Sequence, residues 1–242
     1  MGWVGTAAEL SSFCQLRPQR TDGIKRMSST TPNQPTAGSF YMFEADMESN
    51  RQPCGVRFDN VRHLLSPPRL ILRPEEGGFP TLRETPQLTY DPKTGPAPRD
   101  LEPGFSGYWL VSERLYDAMV LVDSDAFAFA EVDYRLADGT KGPRHFLCDI
   151  VRELDALGEV ASRLQIEIDD DYVNGKFYSV GGGASLAFRQ EVVGQAHVFL
   201  TPFSSFVICD RAFKDAVHDA GIPDDAGESG ISFIDASGIE LP

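Results

Sequence analysis

The chain has 242 residues, 41% of them hydrophobic and 10% aromatic, enough to bury a sizeable core in one large domain or two small ones. With 22 Lys and Arg against 36 Asp and Glu, its formal net charge is −14, a field that repels nucleic acid and anionic lipid and speeds encounter with a basic partner. No apolar run reaches the roughly 18–20 residues that span a bilayer, and the opening MGWVGTAAELSSFCQLRPQR lacks the basic start and apolar segment of a secretory signal, so a cytoplasmic protein without membrane or nucleic-acid partners is expected.

Residues 1–38 read as a flexible tail. The stretch RMSSTTPNQPTAG is rich in Ser, Thr, Pro, Asn and Gln and has no periodic apolar face. The tail carries Arg17, Arg20, Lys25 and Arg26 against Glu9 and Asp22, a net of +2, so residues 39–242 hold −16. Met27 precedes a segment that looks like an ordinary protein start. Deleting residues 1–26 is therefore expected to leave folding and binding intact.

A single α+β domain is expected over 39–242, with mixed or mainly antiparallel sheets and a few helices. Its first strand is expected over Ser39–Glu44, where aromatic β-formers cluster. Residues 39–106 form a proline-rich first part. Proline cannot donate to a sheet ladder and disrupts helix interiors, so only short strands such as Arg69–Leu72 are expected there, as rigid coverings or partner-facing loops.

From Gly107 the pattern becomes regular. Tyr108–Val111 reads as a strand end, Ser112 as a helix cap, and Leu115, Ala118 and Met119 as the apolar side of the helix that follows. Ala126–Tyr134 reads as one strand, with a turn at Asp138-Gly139. His145–Leu157 mixes strand and helix spacing until Gly158 breaks it. Leu164–Ile168 precedes the acidic turn Asp169-Asp170-Asp171. Phe177–Val180 and Leu186–Phe188 read as two strands around Gly181-Gly182-Gly183. Ala196–Leu200 and Ser205–Cys209 are further strands. Asp210 caps a second helix bearing Phe213 and Val217, Gly221 stops it, and Gly230–Asp235 is the closing strand.

Two phrases in this half are alike, YWLVSERLYDAM (Tyr108–Met119) and FVICDRAFKDAV (Phe206–Val217). Each is strand, capped helix, strand. Residues 107–242 thus contain two similar units, by duplication or by convergent packing, since acids suit helix starts and Ala suits helices.

Reactive groups do not assemble into a motif. His63, His145, His197 and His218 show no paired-ligand spacing, and Cys14, Cys54, Cys148 and Cys209 are scattered without zinc-site pairing. Cys148 and Cys209 read as small buried residues, and His197 as a hydrogen-bonded structural histidine. Gly104-Phe105-Ser106-Gly107 lacks the spacing of a nucleophile turn, and Gly181–Ser185 lacks the lysine of a phosphate loop, so both read as turns. Glu113 and Asp117 lie four apart as catalytic carboxylates can, yet the first turn of a helix favours an acid without any chemistry. Arg114 and Arg211 are expected to pair with nearby acids. No enzyme activity, metal or other cofactor is expected.

Four phrases carry a family likeness: FYMFEAD (Phe40–Asp46), YWLVSERLYDAM, DIVRELDALGEVAS (Asp149–Ser162) and HVFLTPFSSFVICDRAFKDAVHDAGIPDDAGESGISF (His197–Phe233). In order and spacing they resemble the immunity protein eleven family of bacterial polymorphic-toxin systems. The chain departs from the family pattern in its proline-rich 50–105 region, in its long tail, and at Cys209, where members often carry a second Ser. The resemblance implies a protein that neutralises a cognate toxin encoded beside it in interbacterial competition, and it supplies no catalytic residues. The competing classes are a small hydrolase or transferase and a general protein-binding adaptor. For a basic toxin, the expected contacts are Asp169, Asp170 and Asp171 on one turn and Asp224, Asp225 and Glu228 after the second helix.

Overall fold

The structure, a computed structural model, describes residues 34–47, 52–172 and 174–240. Positions 1–33 of the expected tail, with Cys14 and Met27, lie outside the described residues. In chain order the strands and helices are β1 (Phe40–Ala45), β2 (Val56–Phe58), β3 (Gln87–Tyr90), β4 (Leu101–Phe105), β5 (Tyr108–Ser112), α1 (Glu113–Asp123), β6 (Phe127–Glu131), β7 (Asp133–Arg135) and β8 (His145–Ile150). They continue with β9 (Gln165–Ile168), β10 (Lys176–Ser179), α2 (Gln190–Val193), β11 (Val198–Leu200), β12 (Val207–Asp210), α3 (Arg211–Asp219), α4 (Ala226–Ser229) and β13 (Ile231–Asp235). The class is α+β, with mainly antiparallel sheets.

The repeated phrase is repeated topology. One four-stranded sheet has the order β4-β5-β8-β6 and the other β11-β12-β1-β13. In each, a hairpin leads into a helix, and the strand after the helix returns on the far side of an antiparallel central strand. The registers agree as well. Ser112 faces His145 as Asp210 faces Phe40, and Phe127 faces Ile150 as Ile231 faces Ala45. One alignment therefore satisfies both pairings of both sheets. The origin of the central strand differs, since β8 follows its unit and β1 precedes the other, and α4 is inserted between α3 and β13.

Central position explains the composition of β8. All six of its residues are buried, because both of its faces and both of its edges are covered. Its sequence therefore shows no polar alternation. Tyr41, Phe43, Val111, Phe146, Cys148, Ile150, Val207 and Cys209 point inward, where they join Leu115, Met119, Phe213 and Val217 of the two helices in one core. All four helix residues are fully buried, as expected.

The opposite faces have separate covers. Leu110 and Leu147 pack under Leu64, Leu72, Leu88 and Tyr134, which come mostly from the proline-rich part. Met42, Phe199 and Ile208 pack under Leu157, Tyr178, Leu186 and Phe188. The proline-rich stretch between β1 and β4 is thus a covering over the β4-β5-β8-β6 sheet.

Two polar ties and one close backbone approach join the two units. Arg114 pairs with Asp100 through two 2.6 Å contacts and donates to the Gly221 carbonyl at 3.0 Å. Asp123, at the end of α1, accepts Arg152 and the backbone N–H groups of His197 (2.7 Å) and Val198 (3.1 Å). Burial alone raises the pKa of Asp123, but Arg152 and these two N–H groups outweigh it and hold the carboxyl below its ordinary range. At Gly230 a Cβ would lie 2.0 Å from the Leu101 carbonyl, and φ is +77°, so glycine is required where β13 passes β4.

Three strand expectations are corrected. Arg69–Leu72 is not a strand; Pro67-Pro68 and Pro74 bracket it, and Leu70 and Ile71 face outward. Ala126–Tyr134 is two strands broken at Val132, because β6 stays on β8 while β7 crosses to pair in parallel with β3. Leu186–Phe188 forms no hairpin with Phe177–Val180. Instead β10 pairs with β9 across the acidic turn, while Ser185 and Phe188 make single bridges to Arg163 and Leu157. The apolar spacing alone did not distinguish these partners.

Candidate partner-binding surface

The acidic turn closes the β9–β10 hairpin. Asp169, Asp170 and Asp171 are all exposed, and the Asp171 N–H donates to the Asp169 carboxylate at 3.0 Å. Ile168, next to them, is 75% exposed. Tyr172 donates its hydroxyl to Glu167 at 2.6 Å and stacks on Phe177. The tip therefore presents three carboxylates beside a solvated isoleucine on a two-stranded stem.

The second cluster lies between α3 and α4. Asp224, Asp225 and Glu228 are exposed, but two of them have structural partners. Asp224 meets Lys214 at 3.2 Å, with His218 Nε2 at 3.8 Å. Asp225 caps α4 by accepting the Gly227 N–H at 2.7 Å. Among the described residues no hydrogen bond or ion pair links the two clusters.

The residues tested for chemistry are dispersed. His63 is exposed, and His145 is buried with Nδ1 against the Pro143 carbonyl at 3.0 Å. His197 pairs with Asp210 at 2.8 Å. Cys148 and Cys209 are buried, and burial pushes both thiols well above their ordinary range, so they carry little of the nucleophilic thiolate. Ser106 (φ 57°) and Gly107 (φ 90°) make the β4–β5 hairpin turn, with the Ser106 hydroxyl spent on the Leu70 carbonyl. Glu113 pairs with Arg144 at 2.8 Å rather than with Asp117, and Arg211 meets Asp215 at 3.5 Å. Among the described residues no three His, Cys, Asp or Glu converge as a metal-binding set, and no helix is long and apolar enough to cross a membrane.

Two clefts were not foreseen. The larger, 1080 Å³, is lined by Cys54, Phe58, Tyr90, Lys93, Arg99 and Glu102, among others. Arg99 bonds Glu102 at 2.9 Å, Asp46 at 2.6 Å and the Ala226 carbonyl at 3.0 Å. Glu102 chiefly, then Asp46, raises the pKa of the guanidinium against the effect of burial. The smaller, 360 Å³, lies where β5 and β8 approach β11 and β12, with Trp109, Asp149 and Thr201 in its wall. Asp149 is held there by Arg73 at 3.0 Å and the Gly78 N–H at 2.6 Å. Burial first, then the Asp149 charge, pushes the nearby Tyr108 hydroxyl up to about 12. The sequence signal for either cleft was slight, because their walls join segments far apart in the chain.

No curated protein matches the chain. The family model described as Immunity protein family (Imm11) matches residues 39–238. That span contains both four-stranded sheets, both long helices and both coverings. The chain belongs to the Imm11 immunity protein family.

Proposed function

We propose that this protein binds a cognate toxin of a bacterial polymorphic-toxin system and neutralises it in the cytoplasm by occupying its surface rather than by catalysis. Family membership over residues 39–238 carries the reading. The −16 held by residues 39–242 supports a basic partner, because such a field accelerates oppositely charged encounter. The carboxylates of Asp169, Asp170 and Asp171, with Asp224, Asp225 and Glu228, are exposed and suited to steering that approach. Co-expression with the product of the adjacent gene tests the reading. A complex that survives purification, together with protection of cells from that product, is the expected result. If the full chain neither binds that product nor protects against it, the immunity assignment is removed.

A further inference from the structure

Three of the four outer strands in the two main sheets are protected along all or part of their edge. On β11, the Val198 N–H goes to the Asp123 carboxylate at 3.1 Å, and Leu200 exchanges bonds with Arg152 and Leu154 at 2.8 and 2.9 Å. On β4, Pro103 lacks a donor and the register is bulged. On β13 only the ends are protected, where Ser229 Oγ takes the Ile231 N–H at 3.1 Å and the Gly38 N–H donates to the Asp235 carboxylate at 2.7 Å. Proline, bulges and covering segments are the usual protections of a sheet edge.

Among the described residues β6 has none of them. Its sequence FAFAE contains no proline, and it pairs with β8 without a bulge. The bonds from Val151 N–H to the Ala126 carbonyl (2.9 Å) and from Val132 N–H to the His145 carbonyl (3.2 Å) fix the phase of the ladder. In an antiparallel pair the bonding direction alternates, so Ala128 and Ala130 face β8 while the N–H and C=O groups of Phe129 and Glu131 point outward. Among the described residues nothing bonds those outward groups.

Beside this edge lies an apolar shelf. Tyr116 of α1 stacks on Phe146 and meets Phe129 edge-on with centroids 4.8 Å apart. Val120, one turn along the same face, and Leu121 are 38% and 82% exposed. Arg144 lies over Phe146 at 5.0 Å, its charge matched by Glu113 and Glu131 at 2.8 and 3.1 Å. Two exposed acids flank the shelf, Asp117 on α1 and Asp125 before β6, and neither has an ion-pair partner among the described residues.

We infer that the β6 edge is a docking site for an extended, basic segment of the toxin, which adds a strand to the β4-β5-β8-β6 sheet. The outward groups of Phe129 and Glu131 supply main-chain hydrogen bonds. Alternate side chains of the added strand rest on Tyr116, Val120 and Phe129, and its Lys or Arg residues meet Asp117 and Asp125. A second copy of this chain is disfavoured as occupant, because each body carries −16. The inference rests on the immunity reading and adds a docking edge to the acidic clusters that steer approach.

The test uses the full chain and the purified product of the adjacent gene. Amide hydrogen exchange is compared in the free protein and the complex. The amides of Phe129 and Glu131 are expected to exchange quickly when free and to slow by on the order of tenfold or more on binding, while those of Ala128 and Ala130 stay slow in both states. Glu131→Pro removes an outward N–H without breaking the β8 ladder, and it is expected to weaken binding by roughly tenfold or more, whereas Glu131→Ala changes it by less than about threefold. If the complex forms but these amides stay fast, the edge inference is overturned and the immunity reading stands. Protection of the edge in the free protein, rising with concentration alongside a dimer in sedimentation, would overturn the choice of occupant. Absence of any complex removes both proposals.

Discussion

Ser112 and Asp210 hold the same place in two sheets and do the same work with different chemistry. Ser112 Oγ accepts the Leu115 N–H at 3.3 Å, and Asp210 Oδ1 accepts the Phe213 N–H at 3.0 Å, so each caps the helix it precedes. Each is also bonded from the neighbouring strand. Ser112 donates to Asp100 at 2.6 Å, and Asp210 meets His197 at 2.8 Å. Leu101 faces Val111 as Val198 faces Cys209, which makes Asp100 and His197 counterparts. One unit has an acid beside a serine cap, and the other a histidine beside an acid cap.

Removal of either cap is expected to weaken its helix. Ser112→Ala and Asp210→Ala should each cost about 0.5–2 kcal/mol in urea unfolding. Asp210→Ser should recover most of the loss, since a hydroxyl can still accept the Phe213 N–H. An unchanged unfolding midpoint in both Ala variants would show that the caps are idle.

Truncation in the shared core tests whether the two helices are comparable supports. Leu115 and Phe213 occupy equivalent positions and are both fully buried. Leu115→Ala should cost roughly 2–5 kcal/mol and Phe213→Ala roughly 3–5 kcal/mol, through lost burial and the cavities left behind. Losses under about 1 kcal/mol in either would indicate a loosely packed core.

Stability should depend on pH through His145. Burial pushes its imidazole below the ordinary range, against the opposing effect of its hydrogen bond to Pro143. In the unfolded chain the ring titrates near ~6.5. Between that value and its lower folded pKa the unfolded state binds more protons, so the contribution is complete above ~6.5 and is lost as pH falls through the folded pKa. His145→Phe should flatten this part of the stability profile measured from pH 7 to pH 5. An unchanged slope would assign the acid sensitivity elsewhere.

The two acidic clusters should separate when neutralised. Changing Asp169, Asp170 and Asp171 together to Asn should slow association with the toxin and reduce its salt dependence, with stability held within ~0.5 kcal/mol. The triple change Asp224→Asn, Asp225→Asn and Glu228→Gln should also slow association. It is expected to cost more stability, because Asp224 pairs with Lys214 and Asp225 caps α4. Stopped-flow association at two ionic strengths, with melting curves, distinguishes these outcomes. Rates unchanged in both would discard this face.

Local chemistry determined a good deal on its own. Ser112 and Asp210 were readable as caps, and Leu115, Met119, Phe213 and Val217 as buried faces, because capping and 3.6-residue spacing act over a few residues. The first strand and the exposure of Asp169, Asp170 and Asp171 were readable for similar reasons, and the family phrases were already in place. Tertiary structure alone decided which strands became neighbours. β1 leaves its chain neighbours to become the central strand of the second sheet, β6 and β7 part at Val132, and β10 turns back on β9. Strand pairing depends on long-range hydrogen bonding and on which face finds a cover, and an apolar run is equally content in several registers until those partners exist. The clefts at Arg99 and Asp149 and the uncovered edge of Phe129 and Glu131 arise from the same cause. Each is formed by what the rest of the fold places, or fails to place, beside it.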